Sequence, residues 1–215
     1  MYNYILFDLD GTLTDPAEGI TNSVSYALEK FGIIVSDKRE LYKFIGPPLV
    51  DSFMEYYGFS EEDANKAVAY YREYFKPKGI YENAIYDGTV SLLSELKKQN
   101  KTVILATSKP ELFAKEILKY FSIDGYFDFV AGATMDKTRN KKSDVIAYAL
   151  SECEITDLKS CLMVGDRNQD INGARANGID SVGVLYGYGD RQEHEAAGAT
   201  YIAETVEDIL KFVIN

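Results

Sequence analysis

Two regimes of apolar spacing divide this chain. Tyr4-Ile5-Leu6-Phe7 is an unbroken β-type run, too short for a helix and without polar alternation, so it predicts a strand buried on both faces. From Ala17 the spacing becomes helical, with Ala17, Ile20, Val24, Ala27, Leu28 and Phe31 on one stripe. Asp15 is the expected N-cap, Pro16 the first helical residue and Gly32 the stop. Further helical stretches are expected over Asp37 to Phe44, Leu49 to Tyr57 and Glu61 to Phe75, with no convincing strand among them. The next strand-like run is Thr102 to Ala106, so over ninety residues separate the first two strands. A parallel crossover needs only about a dozen.

Beyond Gly88 the pattern alternates regularly. A helix over Val90, Leu93 and Leu96 precedes the Thr102 to Ala106 strand, and a helix from Pro110 to Phe121 follows it. Then come Phe129-Val130-Ala131, a helix Ser143 to Glu152, a strand Ser160 to Val164, a helix Gln169 to Asn177 and a strand Ser181 to Leu185. A loop with Gly187-Tyr188-Gly189, the pair Tyr201-Ile202 and a helix from Val206 complete the order. Such alternation predicts an α/β fold, a doubly wound, Rossmann-like parallel sheet. The expected organisation is a core formed by residues 1–15 and 83–215, with an inserted helical cap domain at 16–82.

Composition narrows the partners. The 215 residues suffice for one domain plus an insertion, and the apolar and charged fractions are those of an ordinary soluble protein. A net charge of −11 without a Lys/Arg run argues against a nucleic-acid polymer, though not against a small phosphate ester. Cys153 and Cys161 show neither metal spacing nor a disulfide framework, which fits a reducing cytosol. A single histidine, His194, argues against imidazole-based triads and zinc sites. With no basic start, cleavage site or membrane-length apolar run, the expected location is cytoplasmic, without a membrane partner.

The candidate chemistry sits at strand ends. Asp8 and Asp10 follow the first strand at i and i+2, so strand geometry points both to one side. Two carboxylates that converge need a cation or a shared proton, and Mg2+ is the economical cation because it takes oxygen ligands and keeps positions for water and phosphate. Taken alone, Asp-x-Asp-Gly reads first as a turn in which Gly11 takes positive φ. Thr107-Ser108 follows the second strand and precedes Pro110, a place for a phosphate or for an ordinary helix cap. Arg139-Asn140-Lys141-Lys142 puts cations where a helix macrodipole prefers anions. Ser160 to Val164 leads into Gly165-Asp166-Arg167-Asn168-Gln169-Asp170, again a strand ending in acids.

These four motifs, in this order and each after a strand, closely resemble the haloacid dehalogenase superfamily over essentially the whole chain. The resemblance implies that Asp8 is a nucleophile that takes up a phosphoryl group and Asp10 a general acid and base. It implies a phosphate held by Gly11, Thr12, Thr107, Ser108 and Lys142, the Arg-x-x-Lys spacing selecting Lys142 over Lys141. It also implies Mg2+ bound through Asp8, the backbone of Asp10 and Asp166, with Asp170 binding the metal or supporting the site. Metal-free dehalogenases do not need Asp10 or Asp166, and a Schiff-base role for Lys43 is less economical than an exposed helix position. Phe44-Ile45-Gly46-Pro47-Pro48-Leu49 and Tyr186-Gly187-Tyr188-Gly189 are most similar to the phosphoglycolate-phosphatase-like branch, particularly its 5'-nucleotidases. The expected function is phosphomonoester hydrolysis on a small phosphorylated metabolite by a monomer or weak dimer. A β-phosphoglucomutase-like transferase and a non-catalytic binding module are the alternatives. Gly46, which permits close backbone approach ahead of the stiffening Pro47-Pro48, is the expected substrate-facing residue of the cap, an ordinary inter-helix turn being the alternative.

Overall fold

The computed structural model describes residues 1–136 and 138–214. In chain order its strands and α-helices are β1 Tyr4–Phe7, β2 Thr14–Asp15, α1 Ala17–Glu29, α2 Leu49–Tyr57, α3 Glu61–Tyr74, β3 Ala84–Ile85, α4 Thr89–Lys98, β4 Thr102–Pro110 and α5 Glu111–Tyr120. They continue with β5 Phe129–Ala133, α6 Lys142–Glu152, β6 Cys161–Gly165, α7 Asn168–Ala176, β7 Asp180–Val184, α8 Arg191–Ala197, β8 Tyr201–Ala203 and α9 Asp208–Ile214. The chain divides into two compact units, Met1–Asp15 with Ile85–Asn215, and Pro16–Ala84.

The first unit is built on a six-stranded sheet in the order β5-β4-β1-β6-β7-β8, every pairing parallel. The first strand is therefore central: Ile5 lies beside Val103 of β4 on one side and Leu162 of β6 on the other. All three are fully buried, which is why these strands read as continuous apolar runs. One face of the sheet packs Leu6, Ile104 and Met163 against Val145, Ile146 and Ala149 of α6. From β1 the chain winds outward through β4 to β5, then crosses back to β6 and winds the other way. That reversal makes the β1/β6 boundary a topological switch point, where open α/β sheets gather their ligands.

Several local features depart from the sequence reading. β4 does not stop at Ala106 but runs to Pro110, with a register irregularity between Thr107 and Pro110. Asp15 does not cap α1: it lies in β2, and Pro16 occupies the cap position without a side-chain bond. Helix α1 ends at Glu29, before Gly32, because Lys30, Phe31 and Gly32 turn back onto the last carbonyls of the helix.

The second unit is helical. Lys38–Phe44 winds as a 3-10 helix rather than an α-helix, started by Asp37, whose side chain accepts the Arg39 amide at 3.0 Å. Beyond Tyr74 the backbone widens into a π turn over Phe75–Gly79, closed by Ile80 N–H donating to Phe75 O. Pro77, at the middle of that turn, has no N–H to give an ordinary α-helical bond. Phe44 and Phe53 pack edge to face with centroids 5.0 Å apart in the unit's core. Exposed Lys43 lies over the rings of Tyr56 and Tyr57, a cation–π arrangement. Gly46 follows with φ +102 in the loop that leads to α2, a backbone conformation that favours glycine. No helix among the described residues is long and apolar enough to cross a membrane.

Candidate active site

The carboxyl ends of the central strands collect the charged residues. Asp8 extends β1 by one residue, its amide donating to Val164 O of β6 at 2.9 Å, and Asp166 follows the end of β6. Asp170 is in the first turn of α7, where its Oδ2 accepts the Arg167 amide at 3.0 Å and so fixes the start of that helix. One carboxylate oxygen from each of Asp8, Asp166 and Asp170 lies within 4.8 Å of the other two, and all three residues are buried. This is a donor set of oxygens only, suited to a hard cation.

Lys142 opens α6 and reaches into the cluster. Its Nζ lies 2.7 Å from Asp8 Oδ1 and 2.7 Å from Asp170 Oδ1, and donates to Ala106 O at 3.0 Å. An ammonium has three protons and no lone pair, and here three oxygens surround it. Lys141, one residue earlier, is exposed. One ammonium does not balance three carboxylates in a buried volume. Burial, with the charges of Asp170 and Asp8, pushes Asp166 well above the usual carboxylate range. Burial also pushes Asp170 up, to about 6, with Asp8 adding to the effect and Lys142 opposing it. Burial alone would lower Lys142, but Asp170 and Asp8 raise it overall. The excess negative charge and the oxygen donors fit a divalent cation held by Asp8, Asp166 and Asp170.

Asp10 stands apart from that cluster. Its Oδ2 pairs with Lys109 Nζ at 2.6 Å, both side chains being largely buried. Burial raises its carboxyl despite the nearby ammonium. Thr107, 1% exposed, accepts the Lys109 amide on its hydroxyl at 3.2 Å, and Ser108 beside it is partly exposed.

Gly11 and Thr12 shape the loop between Asp10 and β2. The Gly11 amide donates to Thr14 O and the Thr12 amide to Leu9 O, so both are used within the loop. Gly11 has φ +83, and a Cβ there would fall 2.1 Å from Asp166 Oδ2. The Thr12 hydroxyl is buried with Asp166 Oδ1 3.5 Å away. Both residues thus contribute space and contact to Asp166. Gly46 belongs to the Pro16–Ala84 unit.

Three contributors were given no role in the site by the sequence. Lys109 is one. The second is the backbone of Tyr188, whose amide donates to Asp166 Oδ2 at 2.9 Å while its hydroxyl bonds Asp15. The third is Tyr186, whose hydroxyl donates to Thr12 O at 3.0 Å. The glycines around them allow that approach: a Cβ on Gly187 would fall 2.3 Å from Gly11 O, and one on Gly189 2.0 Å from Asp166 O. Their signal was a glycine-rich loop at the end of a neighbouring strand. Arg139 lies with its guanidinium 3.6 Å from the Tyr148 ring centroid and bonded to Gly132 O and Glu111, anchoring the loop that delivers Lys142.

Residues 5–184 match the family model described as haloacid dehalogenase-like hydrolase. A 5'-nucleotidase of Pseudomonas aeruginosa is 46% identical over 200 residues, covering 93% of this chain and 90% of that protein. The tyrosine-protein kinase PtkA of Mycobacterium tuberculosis is 36% identical over 207 residues, covering 95% of this chain and 70% of that protein. Among solved structures, a predicted phosphatase from Clostridium acetobutylicum superimposes with a TM-score of 0.96 at 50% identity, covering 100% of this chain and 99% of that one. With a family model spanning most of the sequence and relatives aligned along nearly its full length, the chain belongs to the haloacid dehalogenase-like hydrolase family.

Proposed function

We propose that this protein is a Mg2+-dependent phosphomonoesterase that works through a phosphorylated Asp8, acting on a small metabolite of the 5'-nucleotide or phosphoglycolate kind. The observation that carries the reading is the buried group of Asp8, Asp166 and Asp170 around Lys142 at the switch point of the sheet. Relatives named 5'-nucleotidase and phosphoglycolate phosphatase support the substrate class.

Phosphoryl transfer asks for positioning and charge neutralisation more than for covalent ingenuity. Bound by Asp8, Asp166 and Asp170, Mg2+ supplies positive charge against the phosphoryl oxygens. Asp8 attacks phosphorus in line with the ester oxygen, forming an acyl phosphate as the bond to the leaving group breaks. Asp10 gives that leaving oxygen a proton, then takes one from the water that hydrolyses the acyl phosphate and regenerates Asp8. Lys142 offsets the charge of Asp8 as a phosphate approaches, without which anionic nucleophile and anionic substrate repel. The Thr107 hydroxyl, accepting from Lys109 N–H, has its own hydrogen to donate to a phosphoryl oxygen. Selection among esters falls to residues outside this chemistry, and the 16–84 insert, with Gly46 in its loop, is the proposed source.

Turnover of p-nitrophenyl phosphate, nucleoside monophosphates, phosphoglycolate and sugar phosphates, ranked by kcat/KM, tests the reading. Activity with Mg2+, loss in EDTA and inhibition by Ca2+, whose looser coordination misplaces the nucleophile, are expected. Absence of turnover for every ester would overturn it. The kinase-named relative favours a second reading, transfer from Asp8 to a hydroxyl instead of water. Phosphorylated alcohol or tyrosine peptide, formed when either is added to the assay, would identify that route.

A further inference from the structure

We propose that Lys109 is a positioning residue that holds Asp10 in the orientation from which it protonates the leaving group. The inference rests on the phosphatase reading above and adds a residue to it.

The pair is made by the shape of β4. Strand β4 pairs with β1 in parallel, Phe7 opposite Leu105, so the residues that follow, Asp10 on one side and Ser108-Lys109 on the other, leave the sheet edge as lateral neighbours. Between Thr107 and Pro110 the register of β4 shifts, and such an irregularity re-aims a side chain that a regular strand would point elsewhere. The Thr107 hydroxyl holds the Lys109 amide at 3.2 Å, and Pro110, with φ −52, fixes the chain on the far side. The lysine is thereby committed to crossing toward β1, where Nζ meets Asp10 Oδ2 at 2.6 Å.

The two side chains are only 7% and 12% exposed, so this is a desolvated contact and not a surface ion pair. It engages one oxygen of Asp10. The other, Oδ1, is buried and has no hydrogen-bond partner among the described residues. A buried oxygen without a partner is costly in a purely structural ion pair, whereas it is what a proton carrier must keep available. Lys142, by contrast, serves Asp8 and Asp170, so the site has two buried ammonium groups with separate duties: one for the nucleophile and one for the acid.

Leaving-group chemistry separates this role from a structural one. A p-nitrophenolate departs without a proton, while an alkoxide needs one. The ratio kcat/KM reports only steps up to the loss of that group, whereas kcat also includes hydrolysis of the acyl phosphate. Lys109→Met should lower kcat/KM for an alkyl phosphate such as glycerol phosphate by about 10²-fold, the scale of general acid catalysis, and that for p-nitrophenyl phosphate by no more than about threefold. Lys109→Arg, which keeps a donor in reach, should recover most of the alkyl activity. In an Asp10→Asn background, Lys109→Met should cost little more for the alkyl ester. Melting temperature, read alongside, separates misfolding from mispositioning, and the arginine variant serves if the methionine variant does not fold. Wild-type turnover of neither ester would remove the phosphatase reading itself and this role with it. Wild-type turnover with equal losses for both esters, or with additive losses in the double variant, would overturn the role of Lys109 alone.

Discussion

The ammonium of Lys142 lies 2.7 Å from Oδ1 of Asp8, with the two side chains only 4% and 8% exposed. Breaking a buried pair from one side leaves the other charge without compensation, which costs more than the pair itself stabilises. Lys142→Met should therefore destabilise the chelated protein by about 3–5 kcal/mol at neutral pH, with part of the loss recovered in acid as the carboxylates take up protons. Urea unfolding in EDTA at two pH values measures it. A change below about 1 kcal/mol, the scale of a surface pair, would mean that Lys142 does not balance the cluster.

Asp8→Asn is nearly isosteric and retains an oxygen for Lys142, so the fold should persist. An amide cannot attack phosphorus, and turnover of p-nitrophenyl phosphate should fall by at least about 10³-fold. Residual activity within about tenfold of wild type, after deamidation has been excluded by mass spectrometry, would take the nucleophile's role away from Asp8.

Acidity and metal should compete for the same oxygens. Asp170 is raised from an ordinary 3.8 to about 6 by burial and by Asp8, so the folded protein holds a proton there over a range in which the unfolded chain has lost it. Folding takes up that proton, and stability declines as pH rises across this window. Asp166, raised by burial and by Asp170, extends the decline. In EDTA, the melting temperature contributed by this cluster should fall from about pH 4 to about pH 7, and Asp170→Asn should flatten the slope. Added Mg2+ should raise the melting temperature more at about pH 7 than at about pH 5, because binding displaces protons. A Mg2+ effect that shrinks with rising pH would argue against these carboxylates as ligands.

Gly189 offers a test that touches no charged side chain. A methyl group there would fall 2.0 Å from Asp166 O, so the Tyr186–Gly189 loop must shift and carry the Tyr188 amide away from Asp166 Oδ2. Gly189→Ala should cost about 1–3 kcal/mol of stability, as overpacking does. It should also raise the Mg2+ concentration for half-maximal activity by about 10- to 100-fold, the usual effect of losing a group that orients a ligand. An unchanged metal requirement would show that the loop does not orient Asp166.

The parts legible in the sequence were those that apolar spacing dictates. The runs Tyr4 to Phe7, Thr102 to Ala106 and Ser160 to Val164 could satisfy their backbones and bury both faces only within a parallel sheet, and the acids directly after them had to emerge at one edge. Lateral relationships were not legible. Alternation of strands and helices does not say that β4 lies beside β1, so nothing in the sequence joined Lys109 to Asp10 across ninety-nine residues. The Tyr188 amide was hidden for another reason: every residue but proline has an N–H, and only the fold says which one faces Asp166. Pro110 and Asp15 misled because a helix start and a strand end accept the same residue types.

The middle position of β1 also bears on how the chain is made. β1 leaves the ribosome well before its neighbours, which begin at Thr102 and Cys161. At about 5–20 residues per second, that strand waits on the order of ten seconds for both flanks, its edges unpaired meanwhile. The 16–84 unit is contiguous and needs nothing synthesised later for its own helices to pack. The insert is thus placed to fold before the sheet does, with Asp8 remaining in an unfinished sheet until Asp166 has emerged.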